Sequence, residues 1–298
     1  MVTAAKDFLK IYWPLVLVAI GGLVLTLVLM DPAPPKTIRF AAGSPGGAYY
    51  AYAERYQRLL AEEDISVELV QTAGSVENLR LLDEGQVDVA LVQGGLATRG
   101  DAEKLRSLGG LFHEPFWVFV RDEVGATEYG QLRGKRLAIG PVGSGSRLLG
   151  IELQDEFDGV WPETSRNSLS GTAAAGALIE GKLDAAAFAA SPDAPYVQTL
   201  LRAPGISLMP FERAEALSRR QPALASVTLL RGVVDIGADL PAHDIPLVAP
   251  VAQLVVDKSL HPAIEALLVD AASAIHQDGS LLARAGTFPD ADATDLPV

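Results

Sequence analysis

The fold is decided by a short stretch near the start of the chain, IRFAAGSPGGAYY, at residues 38–50. Residues 38–42 predict a β-strand, the glycine-rich segment at 43–47 predicts a tight loop, and residues 48–60 predict a helix with tyrosines at helical spacing. A second stretch, RLAIGPVGSGSR at residues 136–147, has the same order of strand, loop and helix. The two stretches begin 98 positions apart, which indicates a structural repeat.

The repeat continues beyond these two loops. Gly-Ser at 74–75 and Gly-Thr at 171–172 each precede an expected helix, at an offset of 97 positions. The segments LDEGQVD (82–88) and LIEGKLD (178–184) match at an offset of 96, and in both a helix ends at glycine and a strand begins at an aspartate. Three similar offsets predict an α/β fold with two similar halves, each built on a mostly parallel sheet.

Four loops rich in glycine, serine and threonine form the candidate ligand site. In open α/β sheets, ligands bind beyond the carboxyl ends of the strands, against the N-termini of the following helices. Two facing halves would present Ser44–Gly47, Thr72–Ser75, Gly143–Ser146 and Ser170–Thr172 to one cleft. Each loop offers backbone N–H donors and the positive end of a helix dipole, which favours a carboxylate or another small anion. The net charge of −13 does not oppose this, because distant exposed charges are screened whereas the donors act at contact distance.

Several candidates have a competing structural interpretation. The residues of the first loop could merely build a tight turn, and Asn78 could be a polar residue on the surface or a capping residue. Tyr49 and Tyr50 stand in the first turn of a helix, so one is expected to face the cleft and the other the core. Arg147 could form a bidentate pair with a ligand carboxylate, or an ion pair with a nearby acidic residue on the surface. The complete set of ligand-binding candidates is Ser44, Gly46, Gly47, Tyr49, Tyr50, Thr72, Gly74, Ser75, Asn78, Gln93, Gly143, Ser144, Gly145, Ser146, Arg147 and Phe188.

Composition and missing motifs argue against other classes of protein. An acidic chain without a basic run is a poor nucleic-acid binder. There is no cysteine, and the four histidines are scattered without metal-ligand spacing, so we expect neither a metal site nor a cofactor. The chain has no Gly-x-Ser-x-Gly elbow and no Walker lysine, and residues 43–47 lack the Gly-x-Gly-x-x-Gly spacing of a dinucleotide site. We therefore expect no enzyme, although a carboxylate pair assembled in space would leave no sequence motif.

The N-terminal segment predicts a membrane anchor. Residues 11–30 are a run of 20 without a charge, which reaches about 30 Å as a helix. Lys6 and Lys10 precede the run, and a Pro-rich segment at 31–36 ends it. We expect a cytoplasmic N-terminus at 1–10, a single transmembrane helix in the lipid bilayer of the inner membrane at 11–30, and a stiff spacer at 31–36, with the body on the periplasmic or extracellular side. The alternative is a cleaved signal peptide, but the run is long for one and ends without a small-residue cleavage site.

The loop motifs resemble the TAXI family of TRAP-transporter solute-binding proteins, which are NMT1-like proteins of the type II periplasmic-binding class. The matching segments are GSPGGAYY (43–50), TAGSVENL (72–79), GQVDVALVQ (85–93) and GSGSR (143–147), with weaker matches at 184–192 and 245–256. The resemblance implies a two-lobed, Venus-flytrap receptor that closes over a small organic anion, a carboxylate or an amino acid, and delivers it to a TRAP-type permease. This chain departs from the family in its expected anchor, and in Ser146, which stands where threonine is usual and retains the hydroxyl.

We expect two lobes joined by two crossings. Lobe I is predicted at 37–120 plus 250–298 and lobe II at 121–249, so that the chain crosses near Val120 and near Ala249 and the crossings form a hinge. An alternative function is an anchored sensor or scavenger of the same fold, which would signal to a membrane partner rather than feed a transporter. A neighbouring gene for a multi-pass permease or for a sensor kinase would distinguish these two functions.

Overall fold

A computed structural model describes residues 12–22, 33–97, 101–158, 161 and 166–298. The chain divides into two compact units, Met1–Pro35 and Lys36–Val298. In the first unit, residues 12–22 form a helix, α1, whose residues are exposed. Among the described residues, no helix is long and apolar enough to cross a membrane. Residues 1–10, residues 11 and 23–30 of the predicted anchor, and residues 31 and 32 of the spacer lie outside the described part of the chain.

The second unit alternates strands and helices over most of its length. In chain order the elements are β1 (Thr37–Gly43), α2 (Ala48–Glu62), β2 (Ser66–Gln71), α3 (Ser75–Asp83), β3 (Val89–Gln93), α4 (Asp101–Lys104), β4 (Leu105–His113), β5 (Phe116–Arg121), β6 (Leu137–Ala138), α5 (Gly145–Asp158), β7 (Arg166–Asn167), α6 (Gly171–Ile179), β8 (Ala185–Ala189), α7 (Pro195–Leu200), β9 (Ile206–Leu208), α8 (Ala214–Arg220), β10 (Ala225–Leu229), β11 (Ile245–Ala249), β12 (Val251–Asp257) and α9 (Pro262–His276).

The strands form two five-stranded sheets with the same layout. Sheet I has the order β2-β1-β3-β12-β4, and sheet II has the order β7-β6-β8-β5-β9. In each sheet the first three strands are parallel, as the repeat predicts. The fourth strand, β12 or β5, is antiparallel to both of its neighbours. The sheets are therefore mixed rather than mostly parallel, because the repeated sequence covers only the parallel half of each one. Strands β10 and β11 form a separate antiparallel pair.

The chain passes between the sheets twice. It leaves sheet I after His113 and enters sheet II at Phe116, and it returns at Pro250. The backbone N–H of Glu114 donates to the Pro250 carbonyl at 2.9 Å, so the two passages lie side by side. We expected the first passage near Val120. The run 116–120 is instead a strand of sheet II, and it is buried throughout because it lies between β8 and β9.

An arginine–aspartate pair holds the same place in each sheet. Asp88 accepts hydrogen bonds from the Arg39 backbone N–H at 2.7 Å and from Arg39 Nη2 at 2.8 Å. Asp184 accepts the equivalent bonds from the Arg136 backbone N–H at 2.8 Å and from Nη2 at 2.6 Å. Each pair ties strand β1, or the residue just before β6, to the residue that precedes the neighbouring parallel strand, β3 or β8. The repeat seen in the sequence is therefore matched by repeated contacts.

Helix α2 packs on sheet I through one apolar face. Its buried residues recur every three or four positions at Tyr49, Tyr52, Tyr56 and Leu60, as expected of a helix with one apolar face. The Tyr56 ring packs on Phe40 of β1, with ring centroids 5.6 Å apart, and the Tyr52 ring packs on Phe112 of β4 at 4.8 Å. Because these contacts fix α2 along its length, its first turn has a defined position at the end of the sheet.

Candidate functional site

A cavity of about 90 Å³ lies between the two sheets, and both sheets contribute to its wall. All four loops that the sequence singled out reach it. Sheet I contributes the loop before α2 and the loop before α3, while sheet II contributes the loops before α5 and α6. The lining residues are Gly43, Ser44, Gly47, Ala48, Tyr49, Ala73, Gly74, Ser75, Gln93, Glu114, Pro141, Ser144, Gly145, Ser146, Ser170, Gly171, Phe188, Ala189 and Tyr196.

The two sides of the cleft are in contact around this cavity. The Glu77 backbone N–H at the start of α3 donates to the Gly143 carbonyl across the cleft at 3.2 Å. Gly74 has a φ of +132°, which favours glycine, and a Cβ at this position would lie 3.3 Å from Ser144 Cα. A Cβ on Gly145 would collide with Gln93 Oε1. Side chains at these positions would hold the two sides apart, so glycine allows the close approach.

A chain of hydrogen bonds forms the sheet I wall. The Tyr49 phenol donates to Glu114 Oε2 at 2.6 Å and accepts a bond from Ser75 Oγ at 3.2 Å. Ser75 Oγ in turn accepts from the Gln93 backbone N–H at 3.1 Å. All four residues are buried. The network therefore connects the first turns of α2 and α3 with the ends of β3 and β4.

Glu114 is the ionisable carboxyl group of this wall. Burial raises the pKa of Glu114 to about 7, and the hydrogen bond from Tyr49 offsets part of that effect. Burial also raises the pKa of the Tyr49 phenol well above its ordinary value, and the neighbouring Glu114 adds to this. The phenol is therefore neutral at physiological pH, while the carboxyl group titrates within the physiological range.

The sheet II wall is held by serines whose side chains bond the backbone. Ser144 Oγ donates to the Pro141 carbonyl at 2.8 Å and accepts from the Arg147 N–H at 3.2 Å, in the first turn of α5. Ser146 Oγ accepts from the Ala189 N–H at 2.9 Å, which ties the start of α5 to the end of β8. These bonds fix the loop before α5 relative to sheet II.

The structure brings ten of the predicted ligand-binding residues to the cavity wall and leaves six away from it. On the wall are Ser44, Gly47, Tyr49, Gly74, Ser75, Gln93, Ser144, Gly145, Ser146 and Phe188. Away from it are Gly46, Tyr50, Thr72, Asn78, Gly143 and Arg147. Of the two adjacent tyrosines, it is Tyr49 that faces the cavity.

Three of the residues away from the wall have structural partners. Thr72 Oγ1 donates to Asn78 Oδ1, and Asn78 Nδ2 donates to the Leu91 carbonyl at 2.8 Å, so this amide joins α3 to β3. Arg147 is buried, and its Nη1 donates to the Gly140 carbonyl at 3.1 Å. In this structure the arginine supports the loop before α5 and does not line the cavity.

Glu114 and Tyr196 line the cavity but were not among the predicted ligand-binding residues. Glu114 follows the last residue of β4, and Tyr196 lies in the first turn of α7, after Pro195. A charged residue between the buried runs of β4 and β5 was the available signal for Glu114, because an acid there is costly to bury without a role. Nothing in the local sequence marks Tyr196. Within the described residues, no group of three or more His, Asp or Glu is placed to hold a metal ion.

Comparisons with known proteins give a family and a fold. The model of the NMT1-like family matches residues 40–269, which is more than half of the chain. A solved structure described as a periplasmic transporter is 12% identical, with a TM-score of 0.57, and the match covers 88% of this chain and 93% of that one. A protein from Bordetella bronchiseptica RB50 is 16% identical, with a TM-score of 0.53 and coverage of 80% and 70%. An ancestral arginine-binding protein bound to arginine is 13% identical, with a TM-score of 0.50 and coverage of 83% and 95%.

At these identities the likeness shows the fold, which is the two-sheet α/β fold of periplasmic binding proteins. A search of curated proteins finds no match to the chain.

Proposed function

Because the chain belongs to the NMT1-like family, we propose that it is an extracytoplasmic solute-binding receptor that captures a small organic anion and delivers it to a TRAP-type permease. One observation carries this proposal: four glycine- and serine-containing loops, two from each sheet, converge on one cavity. A cavity of about 90 Å³ suits a ligand with few heavy atoms. The wall holds one carboxyl group and no histidine in the described chain, so we propose binding without turnover.

The helices that begin at these loops support the choice of an anion. Helices α2, α3, α5 and α6 are 15, 9, 14 and 9 residues long, and each starts at or beside a lining residue. In the described structure, the N-cap residues of α2, α3 and α6, which are Gly47, Gly74 and Ser170, make no side-chain capping hydrogen bond. The first amides of a helix have no partner within the helix, and its N-terminus carries a partial positive charge. A ligand carboxylate would supply both the missing acceptors and the opposite charge.

Contacts across the cleft support a closed state of two lobes. We propose two lobes, one around each sheet. The lobe around sheet I comprises residues 36–113 and 250–298, and the lobe around sheet II comprises residues 116–249. The passages at Glu114-Pro115 and Pro250 would then act as the hinge, and the ligand would favour closure because it bonds to loops of both lobes.

The TAXI subgroup, the permease and the anchor belong to the same proposal. The loop motifs at residues 43–50 and 72–79 support the subgroup, and the uncharged run at residues 11–30 supports an anchor that keeps the receptor at the inner membrane. A receptor tethered there would work beside the permease and outside the cytoplasm.

Thermal unfolding with matched probes tests the proposal. The full chain in detergent would be heated with formate, propionate, pyruvate, succinate or amino acids, and with propionamide as the uncharged counterpart of propionate. A ligand at 100 times its Kd adds about 2.7 kcal/mol to the free energy of unfolding. We expect at least one carboxylate to raise the Tm and propionamide to have no effect. Equal shifts with propionamide, or no shift with any probe between pH 5 and pH 9, would refute the anion receptor.

A further inference from the structure

The described part of the cavity wall contains a single carboxyl group, and this group has no cationic partner there. Glu114 is 2% exposed, and its Oε2 accepts the Tyr49 phenol at 2.6 Å. No Lys, Arg or His occurs among the described lining residues. A buried carboxylate without a cation is costly, so the neutral acid is the form that burial favours.

The titratable groups that face Glu114 from the surrounding elements are phenols. Tyr49 and Tyr52 come from α2, and Tyr196 comes from α7. Burial raises the pKa of each phenol, to about 12 for Tyr52, so all three are neutral. Since none of these groups carries a positive charge, they can hydrogen-bond to an ionised Glu114 but cannot neutralise it.

Charged groups further out do not change this conclusion. Tyr52 interacts electrostatically with Arg55 and with Asp193, and these two residues carry charges of opposite sign. His113 precedes Glu114 along the chain, and burial lowers the pKa of this histidine, so it is neutral near pH 7. The His113 ring packs edge-on against Phe288, with centroids 5.2 Å apart.

We propose that Glu114 binds the ligand as a neutral carboxylic acid, which accepts the Tyr49 phenol on one oxygen and donates a hydrogen bond from the other to the ligand carboxylate. This inference rests on the proposed function, because it takes the ligand to be an anion. When Glu114 is ionised in the free protein, binding takes up one proton from water, and the ligand and the proton enter together. Glu114 is then a specificity-determining residue, because it accepts an anion only in its neutral form.

The sign of this coupling follows from the charges in the cavity. Two carboxylates in one site disfavour each other's ionisation, so a bound anion raises the pKa of Glu114 further. The ligand stays ionised because the positive ends of four helices face it. A ligand ammonium group would instead pair with ionised Glu114 and release a proton, but it would have to enter against those same positive helix ends.

Calorimetry on the full chain measures the number of protons taken up when the ligand binds. The probe is the carboxylate of the thermal panel that gives the largest shift, titrated at pH 5 and pH 8 in two buffers of different ionisation enthalpy. Since burial raises the pKa of Glu114 to about 7, we expect uptake of about one proton per ligand at pH 8 and almost none at pH 5. The affinity should fall about tenfold per pH unit above pH 7.

Two variants test whether Glu114 is the group that takes up the proton. Glu114→Gln keeps a donor on the same side chain, so it should bind the probe with no proton uptake and with the same affinity at pH 6 and pH 8. Glu215→Gln makes the same chemical change on the surface of α8, where Glu215 pairs with Arg219, and should retain the uptake. Proton release, or no uptake at pH 8 in the unmodified chain, would overturn the inference while leaving anion binding in place. A failure of every carboxylate to bind between pH 5 and pH 9 would remove the proposed function, and this inference with it.

Discussion

The hydroxyl groups of Tyr52 and Ser191 share a buried hydrogen bond of 3.0 Å that joins the two sides of the cleft. Tyr52 lies on α2, which packs on sheet I, and Ser191 follows β8 of sheet II. The bond exists only while the two sides are in contact. It should therefore contribute to closure, and hence to ligand affinity, without contacting the ligand itself.

Removing this hydroxyl should weaken ligand binding. A hydrogen bond contributes about 0.5–1.5 kcal/mol net, so Tyr52→Phe should raise the Kd for the probe carboxylate by about twofold to twelvefold. Calorimetric titration measures the change. The control is Tyr129→Phe, because the Tyr129 hydroxyl donates to the Gly150 carbonyl at 3.2 Å within the sheet II side. That variant should lose stability but keep its Kd, and equal effects on Kd would show that the Tyr52 bond has no special role in closure.

A larger side chain at Gly145 should prevent closure. Its Cβ would collide with Gln93 Oε1 and lie 3.2 Å from Ser75 Oγ on the opposite side of the cleft, so a leucine there would have to displace groups of that wall. We expect Gly145→Leu to abolish the ligand-induced rise in Tm. Gly176→Leu provides the comparison, because Gly176 also lies within a helix and a Cβ there meets nothing within 4 Å. A normal shift in Gly145→Leu would mean that the cleft does not close as the structure has it.

The stability of the ligand-free protein should depend on pH through Glu114. Its pKa rises from an ordinary 4.5 to about 7 on folding, so between these values the folded state binds more protons than the unfolded state. The contribution of Glu114 to stability is then fully present below pH 4.5 and is lost as the pH rises through 7. A rise of this size corresponds to at most about 3 kcal/mol. Urea unfolding at pH 5 and pH 8 should show a smaller difference between the two pH values for Glu114→Gln than for the unmodified chain, and an unchanged difference would contradict the effect of burial on this group.

The paired aspartates should matter for stability and not for binding. Asp88→Ala and Asp184→Ala each remove a carboxylate that accepts a backbone N–H and a guanidinium N–H. Both variants should lower the Tm by a few degrees and leave the Kd for the probe carboxylate unchanged, because neither residue lines the cavity. Unfolding curves and calorimetry separate the two effects. A large change in Kd would indicate that these pairs position the loops as well as the strands.

The parallel half of each sheet could be predicted from the sequence because its signals are local. A strand, a glycine loop and a helix follow one another directly, and the same order recurs later in the chain. The antiparallel strands β5 and β12 could not be placed in this way, since each enters its sheet from a distant part of the sequence. Their apolar segments indicate strands, but these segments do not show which strands they pair with.

The residues of the candidate site also fall into two groups, those with a local sequence signal and those placed by tertiary packing. Ser75 and Gly145 were found because helix starts have a recognisable sequence. Glu114 and Tyr196 reach the cavity only through the packing of whole elements. Asn78 was a reasonable candidate by position, but its amide is used to join α3 to β3. Sequence shows which groups could face a ligand, whereas packing decides which of them are already occupied.

The position of β12 has a consequence for the nascent chain. All strands of sheet II lie between Phe116 and Leu208, so a growing polypeptide can complete that sheet while later residues are still being synthesised. Sheet I must wait for Val251–Asp257, because this strand lies between β3 and β4. Until then β3 and β4 have open edges, and open strand edges invite pairing with other chains. Sheet II should therefore form before sheet I, and the early strands of sheet I are the part of the nascent chain that most needs protection from aggregation.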